Sequence, residues 1–411
     1  MIYRRIVKDE IPLVADIQAR AFRQDVEERI RRYRERGRPD WTGLRLLEND
    51  QEQPVAALAI LERNMSLNGG DLPAGLVGSV AVPPDQRRRG YARQLMSGAL
   101  QELYEKTLPC SLLFPFSIQY YRRLGYALVN MNWFLDVAPD HMPDYPERLA
   151  VRRATAEDRI AIQECYTLAR RDRGNNGWLA RTDWEWENRV WREGREAVVC
   201  PHDGEVEGYL LYELSWTPAE RPIKVAEWVT TSDASWRGLV GFLSSLRDQA
   251  TVLRYNAPQK EPLLVVLDQP YSAVGGSAEF VFFQAARLVT GFMLRIVHLA
   301  AALSARCYPP ELKAELLLRV DDSQLPANGQ PVHVHIADGT ASVAPARGLF
   351  PGGPPTGVET DIATFSQIFA GAISAEQARA AGRLRADDGT CALLTTAFAA
   401  EPLYMHRSDW F

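Results

Sequence analysis

One stretch constrains this chain more than any other: Val77 to Ala92, reading VGSVAVPPDQRRRGYA. Val77 to Val82 is short, apolar and rich in β-branched residues, the pattern of a buried strand. Pro83-Pro84-Asp85 stops it, because proline cannot join a ladder and marks a turn. The run Arg87-Arg88-Arg89-Gly90-Tyr91-Ala92 then opens a helix that continues through Leu95, Met96, Ala99, Leu100 and Leu103 at helical spacing.

A strand, a basic glycine-containing loop and a helix start make an anion site. The first N–H groups of a helix lack intrahelical partners, and the macrodipole adds positive charge there. Gly90 and Ala92 leave the backbone approachable, and the arginines add forked charge. No Gly-Lys-Ser/Thr follows, so this is not a Walker loop, and GxGxxG is absent. The plainer alternative is a solvated charge run at a helix start. The spacing Arg87-x-x-Gly90-x-Ala92 resembles the pyrophosphate loop of the GCN5-related N-acetyltransferases (GNAT), and that resemblance implies acetyl-coenzyme A as cosubstrate.

The chain has 411 residues, long for one core, and length predicts two or three domains. A net charge of −5 gives no basic field for nucleic acid. The five cysteines (Cys110, Cys165, Cys200, Cys307, Cys391) are odd in number and show no CxxC spacing. They fit buried thiols in a reducing compartment, without zinc or disulfides. The N-terminal segment has charge but no apolar stretch after it, so no signal peptide is expected. The longest apolar stretch, Leu288 to Ala305, carries Arg295 and His298 and is expected to be a buried or interface helix and not a membrane span. A cytoplasmic location follows.

In chain order, Tyr3 to Val7 reads as a strand, Glu10 to Phe22 as a helix and Asp25 to Arg36 as a charged helix. Leu44 to Leu47 and Val55 to Arg63 read as paired strands, and Met65 to Pro73 as a loop. After the central strand and helix, Cys110 to Pro115 is a strand. Ser117 to Leu124 is a short helix with Gly125 as its C-cap, and Tyr126 to Asp136 is a final strand. This element order is that of the GNAT fold. Asp140 to Glu147 reads as a linker, after which Leu149 to Asp158 restarts the opening pattern. Val198 to Cys200, Val206 to Leu214, Val225 to Thr231 and the helix Ser235 to Leu246 repeat the same order. The phosphate loop does not recur: Ser232-Asp233-Ala234-Ser235-Trp236-Arg237-Gly238 stands in its place. Trp184, Trp186 and Trp191 read as core or interface residues. Beyond this unit, strands Leu316 to Val320 and Val332 to Ile336, a loop Gly348 to Gly357, a strand Val358 to Ile362, and helices Ile362 to Phe369 and Ala375 to Ala381 resemble a sterol-carrier-protein-like α/β domain. His333 and His335 share one strand face, but no third metal ligand suggests itself.

The expected fold class is therefore α/β with mixed sheets. It comprises a GNAT domain at residues 1–140, a degenerate GNAT-like domain at 141–294 and a sterol-carrier-like domain at 295–411. The chain ends Met405-His406-Arg407-Ser408-Asp409-Trp410-Phe411, and the aromatic pair suggests that this end docks on an apolar surface. Together these features resemble the enhanced intracellular survival (Eis) acetyltransferases over essentially the whole chain. The resemblance implies a homohexamer that acetylates amines of aminoglycosides. It implies Tyr126 as general acid and the α-carboxylate of Phe411 as general base. Val80, Ala81 and Val82 would hold the thioester through backbone amides, and Arg87, Arg88, Arg89, Gly90, Tyr91 and Ala92 the pyrophosphate. Asp25 would attract a cationic amine, with Trp41, Phe116, Glu401 and Asp409 as pocket lining by position.

This division of labour is chemically sound. An ammonium must lose a proton before attacking a thioester, and a carboxylate partly buried in apolar surface has a usefully raised pKa. Backbone N–H groups meet the oxyanion, and a phenol can protonate the departing thiolate. Cys110, in an apolar setting, is not expected to act covalently. The leading expectation is thus direct acetyl transfer to a primary amine on a small substrate, with no metal, membrane or nucleic acid involved. Two alternatives stay open: a protein lysine or N-terminus as acceptor, and a non-catalytic coenzyme A or lipid-binding module.

Overall fold

The computed structural model describes residues 1–34, 40–218, 220–279, 282–346 and 357–411. The chain divides into two compact units. The first comprises Met1–Val129, Phe292–Ala400 and Phe411, and the second Asn130–Gly291 and Glu401–Trp410.

In the first unit, strands β1 (Ile2–Arg5), β2 (Leu44–Glu48), β3 (Pro54–Leu67), β4 (Gly70–Ala81), β5 (Cys110–Leu113) and β6 (Ala127–Leu128) build one sheet. A seventh strand, Met293–Ile296, inserts between β5 and β6. Helices α1 (Ile11–Phe22), α2 (Val26–Arg34), α3 (Tyr91–Glu105) and α4 (Ile118–Arg122) complete the acetyltransferase-like part. The apolar face of α3, with Leu95, Met96, Ala99, Leu100 and Leu103, packs on Val55, Leu58, Ile60 and Val77 of the sheet. Burial of these side chains, at about 1.5–3 kcal/mol each, holds the helix start at the end of β4. α1 buries Ile11, Val14 and Ile17 against Leu44, Leu46 and Ala57.

Three local expectations are corrected. Met65 to Pro73 is no loop: β3 and β4 continue to a hairpin whose tip, Asn68-Gly69, takes φ of 52° and 82°. Both residues are left-handed, as a tight hairpin turn demands, and an Asn-Gly pair suits that conformation. The strand expected from Tyr126 to Asp136 is two strands. Ala127–Leu128 stays in the first sheet, while Met131–Val137 pairs with Val252–Ala257 in the second. The helix expected over Leu288 to Ala305 is likewise broken. Arg287–Thr290 pairs with Met131–Val137, Met293–Ile296 pairs with β5 and β6, and only Leu299–Ala305 is helical. The expected linker, Asp140 to Glu147, overlaps the turn Pro139–His141 and the start of Pro146–Ala150, both short 3₁₀ segments.

The sterol-carrier-like part lies within the first unit. Its sheet runs Thr340–Pro345, Val332–Ala337, Ala314–Asp321, Gly357–Asp361, Leu384–Arg385. The loop expected at Gly348 to Gly357 falls outside the described residues except for Gly357, as do residues 35 and 36 of the second helix. His333 and His335 are both exposed. Among the described residues, no group of three or more metal-ligating side chains occurs, and no helix is long and apolar enough to cross a membrane.

The second unit has its own seven-stranded sheet, in which Glu196–His202, Glu205–Leu214, Pro222–Thr230 and Val252–Ala257 are successive neighbours. The helix Asp233–Ser245 follows the central strand, as α3 follows β4. Trp186 is buried in this unit's core, with Trp191 partly buried beside it.

Candidate active site

The site begins with a gap between two strands. β4 and β5 are parallel and pair only from Ala74–Cys110 to Leu76–Leu112. Beyond Leu76 the two strands have no mutual register, so the β5-facing backbone groups of the last β4 residues are open to another partner. On its other side β4 bulges: Ala57 pairs Ala81 and Ala59 pairs Gly78, leaving Ser79 and Val80 opposite one residue. Ser79 has a positive φ of 51°, and its carbonyl accepts from Gln18 Nε2 at 3.4 Å. Non-glycine residues in this conformation are uncommon and often mark functional sites.

The chain then makes a 3₁₀ turn at Pro84–Gln86 and enters α3 through Gly90, whose φ is 84°. A Cβ there would meet nothing within 4 Å. The glycine is thus needed for its backbone conformation, and open space faces it. No side chain caps α3, so its N-terminal N–H groups face outward. Arg88 also has a positive φ, 62°. These features surround a crevice of about 480 Å³ lined by Val80, Val82, Arg87, Arg88, Gly90, Tyr91 and Ala92. Ala21, Phe22, Gln86 and Arg93 complete the lining on this side, and Phe116 and Tyr120 form the far wall. A helix N-terminus, two arginines and an unobstructed glycine fit a pyrophosphate group.

Of the expected binding set, Ala81 is buried within the sheet and Arg89 is exposed outside the lining. Ala21, Phe22, Gln86 and Arg93 are lining residues that the sequence reading missed. Phe22 is a large, 41 % exposed aromatic at the end of α1, and the only signal for it was an apolar side chain just past the buried face.

The aromatic cluster beside the crevice has a clear division. Tyr126 is fully buried, and its hydroxyl lies 2.7 Å from Ser111 Oγ, which in turn donates to Gly75 O at 2.9 Å. Burial pushes this phenol up to about 12. Tyr126 therefore does not line the crevice, and its hydroxyl already has a partner. Tyr120 does line it, with a buried hydroxyl that has none, and burial pushes that phenol also to about 12. Tyr121 packs edge-on to Phe116, Tyr120 and Tyr126. Burial raises its phenol too. Ser117 caps α4 by accepting from Tyr120 N.

Phe411 belongs to the first unit. Its ring lies 5.4 Å from that of Phe114, just past β5. Its carboxyl carbon is 3.6 Å from where a Cβ on Gly78 would sit. The terminal carboxylate thus rests against β4 one residue before the bulge.

Other expected residues are placed elsewhere. Asp25 is exposed and accepts from Glu28 N at 2.7 Å, the work of a helix cap. Trp41 packs on the core between α1 and the sheet. Phe116 is 74 % exposed and does line the crevice. Glu401 belongs to the second unit, where its carbonyl accepts from Asn176 Nδ2. Asp409, in the same unit, is buried and ion-paired to Arg181 at 2.6 Å. Cys110 is completely buried, and desolvation pushes its thiol up, away from nucleophilic use.

Comparison with known proteins now gives the class. Profiles of the acetyltransferase (GNAT) domain match residues 2–129 and 177–296, and a sterol carrier protein domain profile matches residues 299–406. The chain is an acyltransferase of the GNAT class, with two GNAT domains and a C-terminal sterol carrier protein domain. GNAT domains use acetyl-coenzyme A. The fold matches Eis1 from Mycobacterium abscessus with a TM-score of 0.76 and 19% identity, covering 100% of both chains. It also matches a GCN5-related N-acetyltransferase from Anabaena variabilis (TM-score 0.85, 21% identity, 100% of both chains). A third match is a GCN5-related N-acetyltransferase from Kribbella flavida (TM-score 0.81, 23% identity, 100% of this chain and 98% of that one). No curated protein gives a significant sequence match.

Proposed function

We propose that this protein moves an acetyl group from acetyl-coenzyme A to a primary amine on a small polyamine-like or aminoglycoside-like acceptor, by direct attack. The observation that carries the reading is the conjunction of the opened β4–β5 gap with the uncapped, arginine-flanked start of α3.

The residues divide the work as follows. Gly90, Arg87 and Arg88 hold the pyrophosphate at the helix start. The open backbone of Val80 and Val82 supplies N–H groups to the thioester carbonyl as negative charge develops on it. The Phe411 carboxylate accepts the proton of the incoming ammonium. The amine nitrogen then bonds to the acetyl carbon, the carbon–sulfur bond breaks, the thiolate takes a proton from a phenol, and the second proton lost by the nitrogen as it becomes an amide returns to that phenol through solvent. That phenol is assigned to Tyr120 of α4, which lines the crevice, in place of Tyr126, whose hydroxyl is bonded to Ser111. The reading includes a homohexameric assembly in the cytoplasm.

Coenzyme A release by the untagged protein tests it. The panel is aminoglycosides, polyamines, arylalkylamines and lysine peptides. Turnover with small amines and none with peptides supports the reading. Turnover confined to peptides transfers the site to protein substrates, and binding of acetyl-coenzyme A without turnover on any class overturns it.

A further inference from the structure

The second unit keeps a crevice at the place where the first holds its candidate cofactor site, but its chemistry is inverted. It lies at the end of the central strand Pro222–Thr230, beside the start of the helix Asp233–Ser245 and the segment after Val252–Ala257. Its volume is about 610 Å³. Here the helix start is closed to phosphate. Ser232 Oγ accepts from Ser235 N, capping the helix, and donates to Glu207 Oε2 at 2.6 Å. A carboxylate therefore already faces the helix dipole, and Asp233 adds a second.

What lines the crevice instead is aromatic and acidic. Trp228 stacks on Trp236, with centroids 6.4 Å apart and planes at 15°, and on Tyr255 at 5.5 Å and 29°. Trp236 Nε1 donates to Glu261 Oε1 at 3.0 Å, fixing that carboxyl at the aromatic wall. Among the described residues Glu261 makes no ion pair. The ammonium of its neighbour Lys260 is turned to Gly174 O and Asn175 Oδ1, at 2.7 and 2.8 Å. The other cation of the lining, Arg237, is paired to Glu147. Two further lining groups lack partners: the buried Trp228 Nε1 and both ring nitrogens of His406, which is 1 % exposed. Unpaired buried donors of this kind are uncommon and costly.

We propose that this crevice is a binding site for a small organic ammonium ion, seated on the Trp228, Trp236 and Tyr255 faces with its charge beside Glu261. Aromatic faces attract a desolvated ammonium, and the fixed carboxylate supplies its counter-charge. An oxygen on the same ligand answers the unpaired Trp228 and His406 groups. The surrounding titratable groups agree. Desolvation raises the Glu261 carboxyl to about 7, so a cation draws it into its ionised form. His406 is lowered by burial to about 4 and is neutral at pH 7, offering no repulsion. Burial raises the Tyr255 and Tyr404 phenols, which stay neutral. Asp172 and Asp233 add negative charge to the lining. The site is independent of acetyl transfer in the first unit.

The test uses choline and its uncharged carbon isostere 3,3-dimethylbutan-1-ol, with 2-phenylethylamine as a primary-amine probe. Calorimetry on the full chain reads the affinity. The expected result is binding of at least one ammonium probe, with choline preferred to its isostere by about 10-fold or more. Affinity should rise with pH through about 7 as Glu261 ionises, with proton release on binding. Glu261→Gln should remove the choline preference and the pH dependence. Trp236→Leu should weaken binding by a similar factor, and thermal unfolding shows that each variant is folded. Equal affinity for choline and its isostere overturns the proposal, as does binding unchanged in both Glu261→Gln and Trp236→Leu. No binding of either cation at about 10 mM also overturns it.

Discussion

The assignment of the proton donor can be decided with three single-atom deletions: Tyr126→Phe, Tyr121→Phe and Tyr120→Phe. The Tyr126 hydroxyl is fully buried and bonded to Ser111 Oγ at 2.7 Å, while Ser111 keeps its own bond to Gly75 O. Removing that hydroxyl leaves Ser111 with one partner, so the loss is one ordinary buried hydrogen bond, about 1 kcal/mol of stability. Turnover should then stay within about 3-fold of the parent, a barrier change below about 0.7 kcal/mol. The Tyr120 hydroxyl has no partner, so its removal should leave stability unchanged or slightly improved. Loss of a positioned general acid costs about 10²–10⁴-fold in kcat, and that loss should fall on Tyr120→Phe. The assay is thiol release under saturating acetyl-coenzyme A, with KM for the cosubstrate and thermal unfolding measured on each variant. A loss seen in kcat with KM little changed identifies an interaction made in the transition state. With a phenol pushed up to about 12, the donor stays protonated to well above pH 9, so the rate should show no alkaline fall below that. The reasoning is refuted if Tyr126→Phe loses about 100-fold or more in kcat while the two α4 variants keep their activity.

Extending the chain past Phe411 by two residues turns the carboxylate beside Gly78 into an amide and should lower kcat by about 100-fold or more, whereas Phe411→Ala, which keeps a carboxylate, should lose less; coenzyme A release compares them. Gly125→Ala should destabilise the protein by about 3 kcal/mol or more in denaturant unfolding, because φ is 85° there and a Cβ would overlap the Arg295 guanidinium. That guanidinium is fixed by Asp322 at 2.7 Å with both groups fully buried. Arg181→Met should cost about 3–5 kcal/mol, since it strands the buried Glu227 and Asp409 carboxylates that Arg181 holds at 2.6 Å each. Acidification should weaken the second unit early. His406 is depressed from 6.5 to about 4, so the unfolded chain binds its proton first, and stability present above pH 6.5 is lost as pH falls towards 4. At about 1.4 kcal/mol per unit this fully buried group contributes about 3 kcal/mol, and His406→Phe should flatten the pH dependence of unfolding over that interval.

The Val77–Ala92 stretch was legible because its determinants are local: a β-branched run, a proline stop, a glycine before an amphipathic helix. The structure adds what one chain cannot display, the pairing of β4 with β5 that ends at Leu76 and so opens the site. The expected strand Tyr126 to Asp136 failed for the complementary reason. Its residues are strand-forming throughout, and nothing local says that Ala127–Leu128 and Met131–Val137 pair in different sheets. The partner that settles it, Met293–Ile296, is more than a hundred residues away and sits in a stretch whose apolar residues suit helix and strand equally. The signal that could have separated them was Gly291 before Phe292. Gly291 donates to Asn130 O at 3.0 Å and has no room for a Cβ beside the Asn130 side chain. The tyrosines show the same limit on a finer scale. Tyr120, Tyr121 and Tyr126 are chemically identical in a sequence, and the resemblance to a family can name only a position. Which phenol is free to give up a proton depends on Ser111, a residue of another strand, and on the cap that Ser117 gives α4. In the second unit, by contrast, the change in chemistry was readable. Serine and aspartate at the helix start mark a capped N-terminus, and Ser232 and Asp233 stand where the first unit has Gly90 and Tyr91 at the start of α3. A crevice at the same place in the fold whose helix start is capped and faced by carboxylates has room for a ligand of the opposite sign, and the carboxylates and tryptophans of its lining are the groups that would hold one.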